Sequence, residues 1–361
     1  MPQKFDVQPW TLSDANTVLE LRRLVWGADH PHATLEFMRW MYAATPPGEA
    51  CGVVLRSGSQ VIGFAGLCRK MLVLNGRVVS LAHGLDYMIH PGLNGLVTGH
   101  AAVSVAQHWR ELTRQMRFAI GLVFPNKLSM AMLTSDYVGM KPAFDPVLML
   151  RPLPGAAAPP GIAVAPAWLG SAALWLGARL GGATAALRAG PEGPALQPTA
   201  GFGPEHDALW EAVAPAIRLG VVRDAAYLNW RYVDHPAYRY HRLELRRSGA
   251  LHGLVVASRR EVHGSAATLL LDLLAPDDEA GLALVQGLVR HAQRGGQSMV
   301  AALTIPGSQL HRLLVRCGFL RVPTWLDPKP FHAVAMVGGD PVSQAWDPLS
   351  WYFTWGDVDV V

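Results

Sequence analysis

A histidine and an aspartate lie close together in the sequence, directly before a turn that is rich in glycine. His83 and Asp86 precede Pro91, and glycines follow at positions 92, 95 and 99. An imidazole or a carboxylate can accept a proton from an attacking nucleophile near neutral pH. A glycine turn exposes backbone amides, and a helix that begins there adds a dipole that favours an anion. The stretch 80–99 therefore combines candidate general bases with a candidate phosphate site, unless it is an ordinary connection that binds nothing.

A strand, a turn and a helix must position these residues. Pro91 cannot donate a ladder hydrogen bond, so the strand is expected to end before it. The helix is predicted to run from residue 98 to about residue 112. Because side chains alternate along a strand, Asp86 shares one face with His90, and His83 lies on the other face. Either candidate base can instead serve the fold as a hydrogen-bonded residue of the strand.

The composition indicates a folded protein of two domains. The chain has 361 residues, of which 50% are apolar and 16% charged, so it can bury a large core. Its net charge is +4, and the basic residues are spread along the chain, which does not indicate a nucleic-acid site. The three cysteines lack paired spacing, and the first residues contain no apolar run typical of a signal peptide, so we expect a cytoplasmic protein.

One order of sequence features occurs twice along the chain. The segment 37–46, with Trp40 at its centre, matches 227–236, with Trp230 in the same place. The segment from Asp86 to Pro91 is answered by Asp272 to Pro276. Such internal similarity predicts two copies of one fold, with an N-terminal domain at 1–150 and a C-terminal domain at 205–361.

The stretch between the copies is a predicted linker. Residues 151–204 are rich in proline, glycine and alanine, and an apolar run at 162–178 is expected to form a helix. That run is shorter than the roughly 20 apolar residues that a membrane-spanning helix needs. We therefore expect it to pack at the domain junction, with contact at a membrane surface as the alternative.

The strand end Ile89-His90-Pro91 follows two predicted helices and a set of hairpins, and a glycine turn and a helix come after it. This order resembles the GCN5-related N-acetyltransferase (GNAT) superfamily, and the resemblance covers both halves of the chain. It implies an α/β (α+β) fold with two tandem GNAT-like domains, each a mixed, mostly antiparallel sheet flanked by helices. It also implies acetyl-CoA, or another acyl-CoA, as co-substrate.

The resemblance further implies which residues hold the co-substrate. In the superfamily, a turn of the pattern Arg/Gln-x-x-Gly-x-Gly/Ala binds the pyrophosphate of coenzyme A through backbone amides, and the equivalent run here is 94–99. Asn94 and Val97 depart from that pattern. An asparagine after the fifth strand bonds the pantetheine arm, and Asn126 matches it. The implied cofactor-binding residues are Ile89, His90, Asn94, Gly95, Leu96, Val97, Thr98, Gly99, Asn126 and Ser129.

Three residues are candidates for proton transfer. Asp86 and His83 are the candidate bases. The superfamily's acid tyrosine usually lies seven residues beyond the asparagine, where this chain has Leu133, and the nearest tyrosine is Tyr137. No metal site is predicted, because neither a cysteine nor a carboxylate follows His30-Pro-His32 at a ligand spacing.

The second copy is a poorer candidate for the acyl donor. Asp277, Asp278 and Glu279 follow Pro276, at the position where a pyrophosphate should bind, and these carboxylates would repel it. We therefore assign the donor to the first copy. The second copy is expected to contact the substrate or to be a structural half.

Together these observations favour an acyl-CoA-dependent N-acyltransferase. The acceptor is expected to be an amine of a small metabolite or of a sugar-type molecule, which attacks the thioester directly. No nucleic-acid partner and no stable membrane insertion are expected. Two alternatives remain, namely a Fem-type aminoacyl-tRNA-dependent transferase, which is also a tandem GNAT fold, and a catalytically inactive binding or scaffold protein of this fold.

Overall fold

The computed structural model describes residues 5–48, 51–93, 95–153, 195–262, 265–324, 330–338 and 342–358. The predicted linker helix at 162–178 and the side chain of Asn94 lie outside these ranges. Within them, we find no helix with both the length and the apolar character needed to cross a membrane. The same ranges contain no group of three histidine, cysteine, aspartate or glutamate residues placed to bind a metal ion.

The first half contains the predicted pair of helices, the hairpins and the turn before the long helix. A strand at Asp6–Trp10 precedes them and was not predicted. Gln60–Leu74 is one continuous strand that takes part in both hairpins. The elements are β1 (Asp6–Trp10), α1 (Ala15–Trp26), α2 (Leu35–Tyr42), β2 (Cys51–Ser57), β3 (Gln60–Leu74), β4 (Arg77–Ile89), α3 (Gly95–Gln115), β5 (Ile120–Val123), α4 (Lys127–Leu133) and β6 (Lys141–Phe144).

The second half repeats this order. After β7 (Val147–Pro152), which ends the first half, its elements are β8 (Gln197–Pro198), α5 (Pro204–Val213), β9 (Leu219–Val221), α6 (Ala225–Tyr232), β10 (His241–Arg247), β11 (Ala250–Val262), β12 (Ser265–Leu274), α7 (Asp278–Arg294), β13 (Met299–Thr304), α8 (Gln309–Arg316), β14 (Leu320–Arg321), β15 (Ala333–Val337) and β16 (Trp351–Tyr352).

Local sequence signals explain several of these boundaries. The side chain of Thr34 accepts a hydrogen bond from Phe37 N and so begins α2, and Asp224 caps α6 in the same way. Asn75 and Gly76 both have positive φ, at 49° and 77°, which suits the two-residue turn between β3 and β4. The helix α3 begins at Gly95, three residues earlier than the sequence predicts.

The two sheets exchange strands. Among the described residues, the first sheet has the order β1-β2-β3-β4-β5-β15-β6, with β9 and β16 attached through β3, and the second has the order β14-β7-β13-β12-β11-β10-β8. Thus β15 of the second half lies between β5 and β6, and β7 lies between β13 and β14. No cut of the chain at 150 or 205 separates the two sheets, so the domain boundaries stay a proposal about the order of the copies.

Three apolar cores lie against these sheets. Residues of α3 and α4 pack on the outer face of the first sheet, and residues of α7 and α8 pack on the outer face of the second. The inner faces share one large core with α1, α2, α5 and α6. The inner face of β4 is therefore closed off by the other half of the chain.

A pair of tryptophans joins the two copies. The rings of Trp40 and Trp230 stack with centroids 4.9 Å apart and an angle of 14° between their planes. Trp40 Nε1 donates to the carbonyl of Trp230 at 2.7 Å, and Trp230 Nε1 donates to the carbonyl of Trp40 at 3.0 Å. The two tryptophans at the matching sequence positions thus contact each other reciprocally.

Candidate active site

The strands β4 and β5 separate at one edge of the first sheet. They pair in parallel from Leu81 opposite Ile120 to Gly84 opposite Val123. Beyond that pair β4 continues to Ile89, whereas β5 ends. The long helix α3 and the short helix α4 both begin at this edge, so two positive helix ends face the gap between the strands.

The turn before α3 is open. The ring of His90 holds it from within, because Gly92 N donates to His90 Nδ1 at 3.0 Å. Gly95 and Gly99 are exposed, and a Cβ atom added to either would meet no described atom within 4 Å beyond its neighbours in the chain. Thr98 Oγ1 donates to the carbonyl of Leu93 at 3.1 Å, which fixes the first turn of the helix. The described atoms around Gly95 and Gly99 thus leave room for a phosphate group.

Asn126 is placed by the helix that follows it. Its Oδ1 atom accepts hydrogen bonds from Ser129 N at 2.9 Å and from Ser129 Oγ at 2.8 Å. This is an N-cap of α4, which fixes the direction of the amide group. The structure therefore brings the implied residues Ile89, His90, Gly95, Thr98, Gly99, Asn126 and Ser129 to one edge of the sheet, with the backbone of Leu96 and Val97 in the first turn of α3.

Asp86 lies in a buried ion pair. Its Oδ2 atom is 2.7 Å from Arg22 Nη1, and its Oδ1 atom accepts a hydrogen bond from Arg22 Nη2 at 3.0 Å. Tyr42 donates to Oδ2 at 2.6 Å, and burial, followed by the charge of Asp86, holds the pKa of this phenol well above its usual range. A Cβ atom at Gly66 would overlap the Tyr42 hydroxyl, so that glycine makes room for the contact.

The second copy builds the same arrangement around Asp272. Arg223 Nε donates to Asp272 Oδ1 at 2.9 Å, and Tyr232 donates to Oδ2 at 3.0 Å. A glycine, Gly356, again leaves room for the tyrosine hydroxyl. Burial raises the pKa of Asp272, although Arg223 acts in the opposite direction. Because both copies use this aspartate to tie a tyrosine and an arginine to the sheet, the geometry gives Asp86 a structural role.

His83 lies on the inner face of β4. It is 1% exposed, and among the described residues neither ring nitrogen has a hydrogen-bond partner. The ring borders a cavity of about 10 Å³ together with Lys70 and Asp357, whose Oδ1 atom also lacks a partner there. Burial, followed by the charge of Lys70, holds the pKa of His83 well below its usual range. The imidazole is therefore neutral, and because the same burial makes it a weak base, it would hold a proton only transiently. The cavity is large enough for about one water molecule.

Tyr137 does not join the other two candidates. Its side chain is 72% exposed in the turn that follows α4, and its carbonyl accepts a hydrogen bond from Gln107 Nε2 of α3 at 3.0 Å. That helix packs on the outer face of the sheet, whereas His83 faces the inner core. The structure thus separates Tyr137 from both candidate bases.

Comparison with known proteins identifies the fold. No family model matches the chain, and no curated protein matches it in sequence. A GCN5-related N-acetyltransferase from Anabaena variabilis ATCC 29413 superposes with a TM-score of 0.63 at 10% identity, over 93% of this chain and 73% of that one. The chain has the GNAT fold.

Two further solved structures share the GNAT fold with it. A conserved protein of unknown function from Enterococcus faecalis V583, described as a probable N-acyltransferase, gives a TM-score of 0.61 at 9% identity over 95% of this chain and 74% of that one. A GCN5-related N-acetyltransferase from Kribbella flavida gives 0.57 at 14% identity over 94% and 72%. The resemblance inferred from the sequence is confirmed at the level of the fold.

The corresponding edge of the second sheet differs, because carboxylates occupy the start of its long helix α7. Asp277 accepts a hydrogen bond from Ala280 N at 2.8 Å and so caps α7. Asp278 pairs with Arg316 at 3.0 Å, and Glu279 pairs with Arg247 at 2.6 Å. A cavity of about 160 Å³ lies beside this edge, lined by the turn at Ala275 and Pro276, the start of α8 and residues 349–353.

Several residues of the site escape sequence reasoning. Lys70 and Asp357 approach His83 from β3 and from the closing segment, and Lys70 Nζ donates to the carbonyl of Asp357 at 3.5 Å. Lys70 had one visible signal, since it and Arg69 together interrupt the apolar run of β3. Asp357 had none, because its distance from β4 in the sequence hides the contact.

Proposed function

We propose that the protein is an acyl-CoA-dependent N-acyltransferase that acts on the amine of a small metabolite or of a sugar-type acceptor. The observation that carries this proposal is the open turn before α3 at the gap between β4 and β5, on a GNAT fold. The exposed backbone at Gly95 and Gly99 leaves space that a Cβ atom would fill, which suits a pyrophosphate. The acyl-CoA, when bound, supplies the thioester that the amine attacks.

The chain's own residues have distinct tasks in this proposal. The turn at 94–99 would hold the pyrophosphate through backbone amides and the dipole of α3. This binding would not need the side chains of Asn94 and Val97, the two positions that depart from the superfamily pattern. Asn126 and Ser129 would hold the pantetheine arm, and Ile89 and His90 would shape the strand end beside it. These assignments extend to this chain what the superfamily pattern implies.

His83 is the base that we retain for proton transfer. It is neutral, its nitrogens lack partners among the described residues, and it borders a cavity on the inner face of β4. In the reaction a bond forms between the amine nitrogen and the acyl carbon, and the carbon–sulfur bond breaks. The proton lost by the amine would pass to His83 through a water in the cavity, and the imidazolium would return it to the leaving thiolate. Asp86 and Tyr137 are not part of this proposal, because one is held in an ion pair and the other lies on the outer side.

Calorimetry with acetyl-CoA and with desulfo-CoA tests the proposal. We expect both to bind to the full-length protein and to raise its thermal midpoint, because recognition depends on the pyrophosphate and the pantetheine arm. The absence of both heat and a thermal shift at millimolar ligand would contradict it and favour the scaffold alternative. A requirement for aminoacyl-tRNA in place of acetyl-CoA would favour the Fem-type alternative.

A further inference from the structure

A basic cleft lies at the end of α3 that is remote from the turn. Its lining includes Arg110 and Arg114 of α3, Lys141 of β6, and Trp346, with the end of β15 between them, and its volume is about 630 Å³. At 1.5 Å per helical residue, the two arginines lie about 22–28 Å along the axis from Gly95. The cleft is therefore distinct from the proposed acyl-CoA site.

Within the described part of the chain, no carboxylate compensates the positive charges of the basic cleft. No aspartate or glutamate lines it among the described residues, and none of its three cations forms an ion pair there. By contrast, Arg247 and Arg316, which are also exposed, each have a carboxylate partner. Like charges that converge in a concave surface repel one another and focus a positive potential. An anion bound there would relieve this repulsion.

Two further features indicate what kind of anion fits. Arg110 and Arg114 are four residues apart and share one face of α3, and Arg110 is oriented by a hydrogen bond to the carbonyl of Val138 at 2.5 Å. Guanidinium groups recognise phosphate oxygens in a bidentate manner. The indole of Trp346 is 37% exposed, and Lys141 Nζ lies 5.8 Å from its ring centre. The cleft thus places a flat aromatic surface beside phosphate-binding groups.

We propose that the basic cleft binds a phosphorylated ligand that carries a planar ring, as a nucleoside diphosphate does. The phosphates contact Arg114 and Lys141, with Arg110 beside them, and the ring packs on Trp346. None of these residues has a task in the acyl-transfer proposal, so the two sites can be tested separately.

Titration calorimetry with UDP, pyrophosphate and uridine at low salt tests this site. We expect UDP to bind more tightly than either fragment. The double variant Arg114→Gln/Lys141→Gln should weaken UDP binding by at least about tenfold, because it removes two charge-assisted contacts. Trp346→Ala should remove the advantage of UDP over pyrophosphate. The matched control Arg77→Gln changes an exposed arginine at the β3–β4 turn and should leave binding unchanged, as should Gly95→Glu.

The outcomes separate this site from the acyl-CoA site. Loss of UDP binding in Gly95→Glu, or equal weakening in Arg77→Gln and the double variant, would overturn the proposal, as would wild-type protein that binds no UDP. Pyrophosphate binding as tight as UDP binding would overturn the role of the ring. The double variant should keep the wild-type thermal midpoint, because no described carboxylate loses a partner. The single variant Lys141→Gln on the edge strand provides the same test without a change in α3.

Discussion

The two copies of the repeat treat the start of their long helix in opposite ways. In the first copy α3 begins at an exposed glycine, and beyond the chain neighbours no described atom lies within 4 Å of a Cβ placed on Gly95 or Gly99. In the second copy the side chain of Asp277 caps α7, and the next two residues pair with arginines. Carboxylates of the chain itself thus already interact with the positive end of α7, whereas the start of α3 stays accessible to a ligand.

The cavity is larger in the second copy, although its helix start is the less accessible one. The second edge has a cavity of about 160 Å³, and the cavity beside His83 holds about 10 Å³. Empty volume alone would therefore assign the acyl donor to the second copy. A pyrophosphate, however, needs backbone amides and no carboxylates, and the first edge is the one that meets this condition. The chemistry of the helix start, more than the size of the cavity, therefore distinguishes the two copies.

The largest expected effect concerns the buried aspartate that both copies contain, Asp86 in the first and Asp272 in the second. We expect Asp86→Asn to lower the free energy of unfolding by about 3–5 kcal/mol, because it leaves the buried Arg22 without its counter-charge. Asp272→Asn should cost less, because Arg223 keeps a second carboxylate partner in Asp357 at 2.7 Å. Urea unfolding measures this loss, with the exposed Asp136→Asn as control. If Asp86→Asn kept its stability but lost acyl transfer, the residue would be a base and the structural parallel with Asp272 would be broken.

The next prediction concerns what the first copy has alone. The position that matches His83 in the second copy is Leu269, so a base on the inner strand belongs to one copy. We expect His83→Gln to lower kcat about 10²–10³-fold and to leave the KM for acetyl-CoA unchanged, as is usual for loss of a general base. The control is His108→Gln on the exposed side of α3. A raised KM with an unchanged kcat would assign His83 to packing.

The contact between the copies where His32 and His235 lie beside Trp40 is called the seam here, and its stability should be sensitive to acid. Burial, followed by the charge of Arg22, lowers the pKa of His32 to about 3, and burial, followed by the charge of Arg231, lowers that of His235 to about 2. Between pH 6.5 and these values the unfolded chain binds protons that the folded chain does not. Stability should therefore fall with decreasing pH, by up to about 1.4 kcal/mol per pH unit for each histidine.

Variants at the seam check this slope. The double variant His32→Gln/His235→Gln should unfold with a flatter dependence on pH between 6.5 and 4, as measured by urea unfolding at a series of pH values. The control is His108→Gln, which should retain the wild-type slope. An unchanged slope in the double variant would show that other groups cause the acid sensitivity.

The smallest expected effect lies at the second helix start. Asp278→Ala removes an exposed pair with Arg316 and a favourable charge near the dipole of α7, so it should cost less than about 1 kcal/mol. Thermal unfolding measures this change. A larger loss would show that the carboxylates of the second copy hold its fold, which would weaken the contrast with α3.

Part of the fold can be predicted from the sequence because its signals are local. The capping residue Thr34, the Asn75-Gly76 turn and the matched segments around Trp40 and Trp230 each predict a feature that the structure contains. The exchange of β7 and β15 cannot be predicted in this way, because a strand's partner depends on packing between distant segments. The same limit hides β1, which pairs with β2 at the edge of the first sheet.

In the candidate site, too, features set by neighbouring residues can be predicted, and features set by distant partners cannot. The turn and Asn126 follow from contiguous residues, and the structure brings them to one edge. The role of Asp86 depends on Arg22 and Tyr42, which come from two other helices. The surroundings of His83 depend on Asp357, which lies at the far end of the chain. Sequence reasoning can therefore name these candidates, but their partners decide between catalysis and structure.

Binding of acetyl-CoA to two matched variants tests the central contrast most directly. In Gly95→Glu a carboxylate projects into the open space above the first turn of α3, where it suits the helix dipole and does not disturb the fold. We expect this variant to lose acetyl-CoA binding in calorimetry, and Asp278→Ala to bind as the wild type does. Gly95→Ala should weaken binding less than Gly95→Glu does, because its methyl group takes up part of the same space but carries no charge. Equal losses in Gly95→Glu and Asp278→Ala, or a loss in Asp278→Ala alone, would contradict the assignment of the acyl donor to the first copy.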